Sequence, residues 1–196
     1  MDALISPRRR TFVTALGAAS LLAACGEQRS GGAALAFGGP AMGSSYTVKL
    51  AGRVDDALAA RARDAVREAL AVVESAMSTW LADSELSRFN RHASTRPFGF
   101  SAETFAVVAL AQQVARQTGG AFDATVAPAV DAWGFGPGRE HRVVAEEERG
   151  RIARRIGHAQ LVLDDATRSA AKAHPGVALD FSGIAKGYAV DRAAAA

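Results

Sequence analysis

Four residues in the stretch Leu179-Asp180-Phe181-Ser182-Gly183-Ile184-Ala185-Lys186-Gly187-Tyr188-Ala189 have the types and the spacing to do chemistry: Asp180, Ser182, Gly183 and Lys186. The apolar run from Val177 to Leu179 predicts a strand, and a helical pattern begins at Ile184, with Lys186 on its first turn. A strand that ends in a small-residue turn and opens a helix brings backbone N–H groups and an ammonium to one point, which suits a phosphate or pyrophosphate. Asp180 could orient a donor group of a ligand or help hold a divalent cation. The alternative is a plain strand-to-helix connection with a capping serine.

A second stretch has similar chemistry. Gly119-Gly120-Ala121-Phe122-Asp123-Ala124-Thr125 follows a helical pattern and carries a carboxylate two residues before a hydroxyl. Two glycines at a helix end allow left-handed backbone and close approach of a ligand to the main chain. A helix stop followed by a turn would explain the glycines but not the pairing of Asp123 with Thr125, so the stretch reads as a binding loop.

The elements that must position these loops are legible as periodic segments. Tyr46, Val48 and Leu50 alternate with Thr47 and Lys49 as a half-buried strand, preceded by a strand start at Leu35 and Phe37 and a tight turn at Met42. Asp55 or Asp56 caps a long helix reaching about Met77, with Leu58, Ala62, Ala65, Val66, Ala69, Val72, Val73 and Ala76 on its apolar face. Asp83 or Ser84 caps a short helix over Glu85 to Asn90, and Ser101 caps another to about Thr118. Trp80, just before a cap, could be core or could stack on a ligand, and its type alone favours core. Glu146 to Arg155 places acids first and bases last, complementing a helix dipole. Leu161 to Leu163 and Arg168 to Ala173 predict a hairpin. These segments define an α/β chain of mixed α+β character, a mixed sheet flanked by helices.

Composition narrows the class. The 196 residues carry 23 basic and 20 acidic side chains, and three of the arginines, Arg8 to Arg10, precede Cys25. The remainder carries no charge signature of a nucleic-acid binder, so no nucleic acid is expected as a partner. Residues 1–24 read as a signal peptide: a positive start, then an apolar run from Phe12 to Ala24 too short to span a bilayer. Leu22-Ala23-Ala24-Cys25 resembles a lipobox, which makes Cys25, the single cysteine, the expected lipidation site. Arg9-Arg10-Thr11-Phe12 also resembles a twin-arginine export signal. Residues 25–34 read as a flexible tether and 35–196 as the N-terminal portion of a domain, because the chain stops at Ala193 to Ala196 inside a helical pattern. The expected location is a bacterial membrane surface facing the periplasm.

Several chemistries are excluded. The four histidines share no helical metal spacing, and there is no G-x-S-x-G elbow, no G-x-x-x-x-G-K-[ST] loop and no G-x-G-x-x-G after a strand. What remains is glycine turns, Asp, Thr, Lys and aromatics, which suits a large flat ligand with a pyrophosphate and a hard cation such as magnesium.

Taken as a set, four motifs resemble the FAD:protein FMN transferase (ApbE) family. They are Ala41-Met42-Gly43; Ser78-Thr79-Trp80 with Asp83 to Asn90; Gly119 to Val126 continuing through Trp133-Gly134-Phe135-Gly136; and Asp180 to Asp191. The resemblance implies Mg2+-dependent transfer of FMN from FAD to a threonine of an acceptor flavoprotein subunit of a membrane redox complex, with release of AMP. By position, Met42, Trp80, Ala121, Phe122, Asp123, Thr125, Asp180 and Lys186 would contact FAD. Lys186 and Asp180 would serve catalysis, and the Gly183 carbonyl would contact magnesium. The family continues beyond this point, so the C-terminal part, with the remaining magnesium ligands, is expected to be missing. The alternatives are an FAD pyrophosphatase yielding FMN and AMP, and a lipid-anchored flavin-binding protein with no chemistry.

Overall fold

The computed structural model describes residues 35–196. The signal peptide, Cys25 and the tether lie outside the described residues. Residues 36–48 and 55–196 form one unit; residues 49–54, which end the second strand and turn at Gly52 (φ +93°), group apart from it.

Strands β1 (Leu35–Ala41) and β2 (Ser44–Leu50) make a two-stranded sheet. Their two-residue connection is Met42-Gly43, with φ of +51° and +68°. Positive φ at both central residues suits a tight hairpin turn, but it is costly for methionine, on the order of 1 kcal/mol. Helix α1 (Asp56–Met77) starts at Asp55, whose carboxylate accepts from the Leu58 N–H at 2.7 Å, a cap worth about 1 kcal/mol. Its buried stripe is Ala59, Val66, Ala69, Leu70, Val73 and Met77. Leu58 and Val72, expected inside, are exposed. At 3.6 residues per turn the stripe centres one residue further on, and these two flank its edge.

Helix α2 (Glu85–Arg91) is capped by Ser84, and α3 (Ala102–Gln117) by Ser101. Helix α3 stops at the glycine pair. Gly120 N–H donates to the Ala115 carbonyl at 2.8 Å and Gly119 N–H to the Arg116 carbonyl at 3.3 Å, with φ of +85° and +62° at the two glycines. This Schellman closure accounts for both glycines without a ligand. Helix α4 (Ala127–Ala132) has Pro128 in its first turn, where a missing N–H costs nothing. Helices α5 (Glu146–Ala153) and α6 (Ala185–Ala194) complete the helical set, and α6 packs along α1.

The predicted hairpin is present. Strand β4 (Leu161–Asp164) pairs antiparallel with β5 (Ser169–Lys172), Leu163 opposite Ala170. A two-residue strand β3 (Phe98–Gly99), not foreseen, pairs antiparallel on the other side of β5. The α/β expectation therefore holds, with the described strands in two small sheets, not one. The core runs from α1 through Leu86, Phe89, Phe100, Phe105 and Val108 to Leu179 and Phe181. Phe89, Phe98 and Phe100 form a trio with ring centroids 5.0 to 5.6 Å apart. Among the described residues no helix is long and apolar enough to cross a membrane.

Candidate functional site

The segment Val177–Leu179, expected as a strand, is buried but pairs with no strand. Asn90, the last but one residue of α2, takes the partner's place. Its side-chain amide donates to the Leu179 carbonyl and its amide oxygen accepts from the Leu179 N–H, both at 2.8 Å. One side chain thus satisfies both polar groups of a buried backbone residue, as a neighbouring strand would. The next residue, Asp180, is buried. Its N–H donates to the Ala124 carbonyl at 2.8 Å, and its carboxylate accepts from the Ser182 N–H at 2.7 Å. Asp180, and not the serine expected to cap, fixes the turn into α6. Ser182 and Gly183 are left exposed.

Helix α6 has no side-chain cap and no acid in its first turn, and Lys186 sits there exposed. A cation at the positive end of a helix dipole is unfavourable for the isolated helix. The pairing is suited to an anion.

Lys186 shares a recess of about 100 Å3 with Met42, Ser78, Thr79, Trp80, Phe181 and Ser182. Trp80 is 68% exposed, which overturns its reading as core: the segment lies between α1 and α2, and what it turns toward α2 is the Ser78 carbonyl. Ser84 Oγ and Ser87 Oγ donate to the Ser78 carbonyl at 2.5 and 3.2 Å, and the Trp80 N–H donates to Ser78 Oγ at 3.1 Å. Thr79 also lines a second recess of about 210 Å3, together with Asn90, Arg91, Asp131, Arg139 and Asp180. The Phe122 ring lies against Gly183, where an added Cβ would meet its Cε2 at 3.3 Å. The structure thus brings Met42, Trp80 and Lys186 together, sets Phe122 beside Gly183, and turns Asp180 toward the neighbouring recess. Ala121 is exposed on the loop.

Asp123 and Thr125 occupy a separate hub. Asp123 Oδ1 accepts from the Thr125 N–H (2.8 Å) and hydroxyl (2.6 Å), and its Oδ2 from the His158 N–H (2.7 Å). Thr125 Oγ1 accepts from the Gly157 N–H at 2.7 Å. These bonds pin the glycine loop to the turn before β4. His158, Gly157, Asn90, Ser84 and Ser87 were not singled out as functional from the sequence. The Asp83–Asn90 motif was the available signal.

Lys172 was also missed. It is 2% exposed on β5, its Nζ donates to the His92 and Asn90 carbonyls at 3.1 and 3.3 Å, and it lies 4.5 Å over the Phe89 ring. Burial lowers its pKa from 10.5 to about 8. The folded state therefore binds this proton less tightly than the unfolded chain, which holds more protons between about pH 8 and 10.5. The contribution of this group to stability rises with pH across that window, on the order of 1–3 kcal/mol at its limit. Denaturant midpoints measured from pH 8 to 10 should climb more steeply in the wild-type chain than in Lys172→Met. Parallel curves would remove the effect.

Among the described residues no three His, Cys, Asp or Glu side chains converge. The site is a pair of open recesses that share Thr79, lined by backbone turns, the exposed Trp80 and the Lys186 ammonium. Residues 42–196 match the ApbE family, and the chain belongs to it. Curated relatives named FAD:protein FMN transferase include those of Vibrio cholerae (37% identical, covering 93% of this chain and 53% of the relative) and Haemophilus influenzae (35%, 93% and 53%). Among solved structures, the flavin transferase ApbE from Vibrio cholerae superposes with a TM-score of 0.76 at 35% identity, over 83% of this chain and 52% of that one. The apo Pseudomonas stutzeri flavinyl transferase ApbE gives 0.77 at 31%, over 86% and 54%. The chain spans about half the length of the curated relatives it matches.

Proposed function

We propose that this chain is the flavin-binding portion of an FAD:protein FMN transferase. The observation that carries this reading is the exposed Trp80 ring, the Met42 thioether and the Lys186 ammonium on one recess, in a chain of the ApbE family. A flat ring stacks on tryptophan and packs against a thioether, while an ammonium beside a helix N-terminus holds a phosphate. In the reaction, the hydroxyl oxygen of an acceptor threonine bonds to the FMN-side phosphorus of FAD. The bond from that phosphorus to the bridging oxygen breaks, AMP leaves with the bridging oxygen, and the hydroxyl proton passes to solvent. Lys186 offsets charge on the pyrophosphate. Asp180 holds the turn that presents Lys186, Phe122 borders Gly183, and Asp123 and Thr125 pin the loop that carries Ala121 and Phe122.

The Gly183 carbonyl is offered as one oxygen ligand for magnesium. It does not make a magnesium site by itself, since no carboxylate cluster lies among the described residues; magnesium held there with further oxygen ligands would offset phosphate charge alongside Lys186. The acceptor is proposed to be a flavoprotein subunit of a membrane redox complex. Cys25 is proposed to carry a lipid that anchors the chain to the periplasmic face of a bacterial membrane, on the strength of Leu22-Ala23-Ala24-Cys25.

Incubation with FAD, magnesium and an acceptor subunit, followed by in-gel flavin fluorescence, tests the activity. Fluorescent acceptor supports transfer. Free FMN with AMP indicates a pyrophosphatase, and bound but unchanged FAD a carrier. Labelled palmitate should enter the wild-type chain and not Cys25→Ser; label retained by the variant would refute the anchor.

A further inference from the structure

We propose that the short helix α2 is the gauge that sets the separation of the two walls of the cleft, with Ser84, Ser87 and Asn90 as positioning residues. The two walls are the Ser78–Trp80 segment and the Leu179–Lys186 segment. Their sequences are about a hundred residues apart. Helix α2 grips one with each end. At its N-terminus, the hydroxyls of Ser84 and Ser87 converge on a single acceptor, the Ser78 carbonyl, at 2.5 and 3.2 Å. At its C-terminus, Asn90 clamps both polar groups of Leu179 at 2.8 Å, one residue before Asp180. Between the two grips lie Leu86 and Phe89, both fully buried, so the helix cannot slide along its axis without opening the core. Lys172 closes the C-terminal end from beneath, donating to the Asn90 and His92 carbonyls, where a cation complements the helix dipole. Ser87, Asn90 and Arg91 of α2 also line the second recess, so amide exchange in the ligand-free chain is the readout that reports the clamp independently of any direct contact with the nucleotide.

This inference rests on the flavin-nucleotide reading of the cleft, and its test separates the two. Asn90→Ala is compared with Val107→Ala, a buried α3 variant away from the cleft, at denaturant concentrations that match their stabilities. Asn90→Ala should weaken FAD binding by titration calorimetry at least 10-fold and speed amide exchange at Leu179, Asp180 and Ser182 at least 10-fold in the ligand-free chain, whereas Val107→Ala should change both less than 2-fold. Asn90→Asp, which keeps the acceptor for the Leu179 N–H and regains a donor only when protonated, should bind FAD more tightly as pH falls through its carboxyl pKa; the wild type should not. Ser87→Ala should speed exchange at Trp80 and leave Leu179 unchanged. Equal effects of Asn90→Ala and Val107→Ala, or an Asn90→Asp profile parallel to wild type, would overturn the gauge. A wild-type chain that binds no FAD would overturn the flavin reading, and the exchange data on the ligand-free chain would still decide the gauge.

Discussion

Lys186→Ala is expected to leave the fold as stable as before, or slightly more so, while weakening FAD binding by about 10- to 100-fold. The two effects have opposite signs because the lysine serves the ligand and not the helix. It is exposed, forms no ion pair among the described residues, and stands in the first turn of a helix that has no acid in that turn, with Glu74 of α1 lining the same recess. Removing it relieves repulsion with the helix dipole and adds a better helix former, each worth a few tenths of a kcal/mol. A charge-assisted bond to a phosphate is worth roughly 1.5–3 kcal/mol, the source of the affinity estimate. Titration calorimetry with FAD and thermal denaturation without it read the two quantities separately. An unchanged affinity would remove Lys186 from the site. An equal loss of affinity and stability would make it structural.

Asp123→Ala should act the other way round, with stability falling first. The carboxylate accepts three bonds of 2.6 to 2.8 Å, two of them from backbone N–H groups. Truncation strands those donors in a half-buried place, at about 1–3 kcal/mol each. A total near 3 kcal/mol corresponds to a fall in Tm of roughly 6–12 °C for a chain of this size. Asp123→Asn keeps one acceptor and should lose about half as much. If FAD binding by the folded fraction also drops in Asp123→Asn, the carboxylate serves the ligand as well as the hub. If it does not, the hub is its whole role.

The helices were legible because their signals are local. Asp55, Ser84 and Ser101 each precede an apolar periodic run, and each makes the expected cap. The glycine pair was read as a helix stop with room for a ligand, and its Schellman bonds meet the first half of that reading. Misreadings arose where a long-range partner replaced a local one. Val177–Leu179 has the composition of a strand, but its hydrogen bonds go to one side chain 89 residues upstream. Lys172 lies in the predicted hairpin, but nothing in its local sequence signals its burial, which the carbonyls at the end of α2 and the Phe89 ring explain. Trp80 reads as core by type, yet Ser84 and Ser87 hold the Ser78 carbonyl and Ser78 Oγ holds the Trp80 N–H, and the residue stays exposed. Asp123 and Thr125, expected as ligand contacts, also have a structural role that the sequence does not show, because the backbone donors they hold, at Gly157 and His158, lie more than thirty residues downstream. The family motifs located the cleft, and the physical roles within it needed the third dimension.

The bonds that tie the cleft together span 89 residues between Asn90 and Leu179, 80 between Lys172 and His92, and 35 between Asp123 and His158. Contacts of such separation form late, after the local helices, because the loop between them must first be closed. During synthesis at about 5–20 residues per second, α1 to α3 are complete while Leu179 is still unmade. A nascent chain therefore carries the Ser78–Trp80 segment and the helix that grips it for several seconds before the Leu179–Lys186 segment, to which that helix must be clamped, exists.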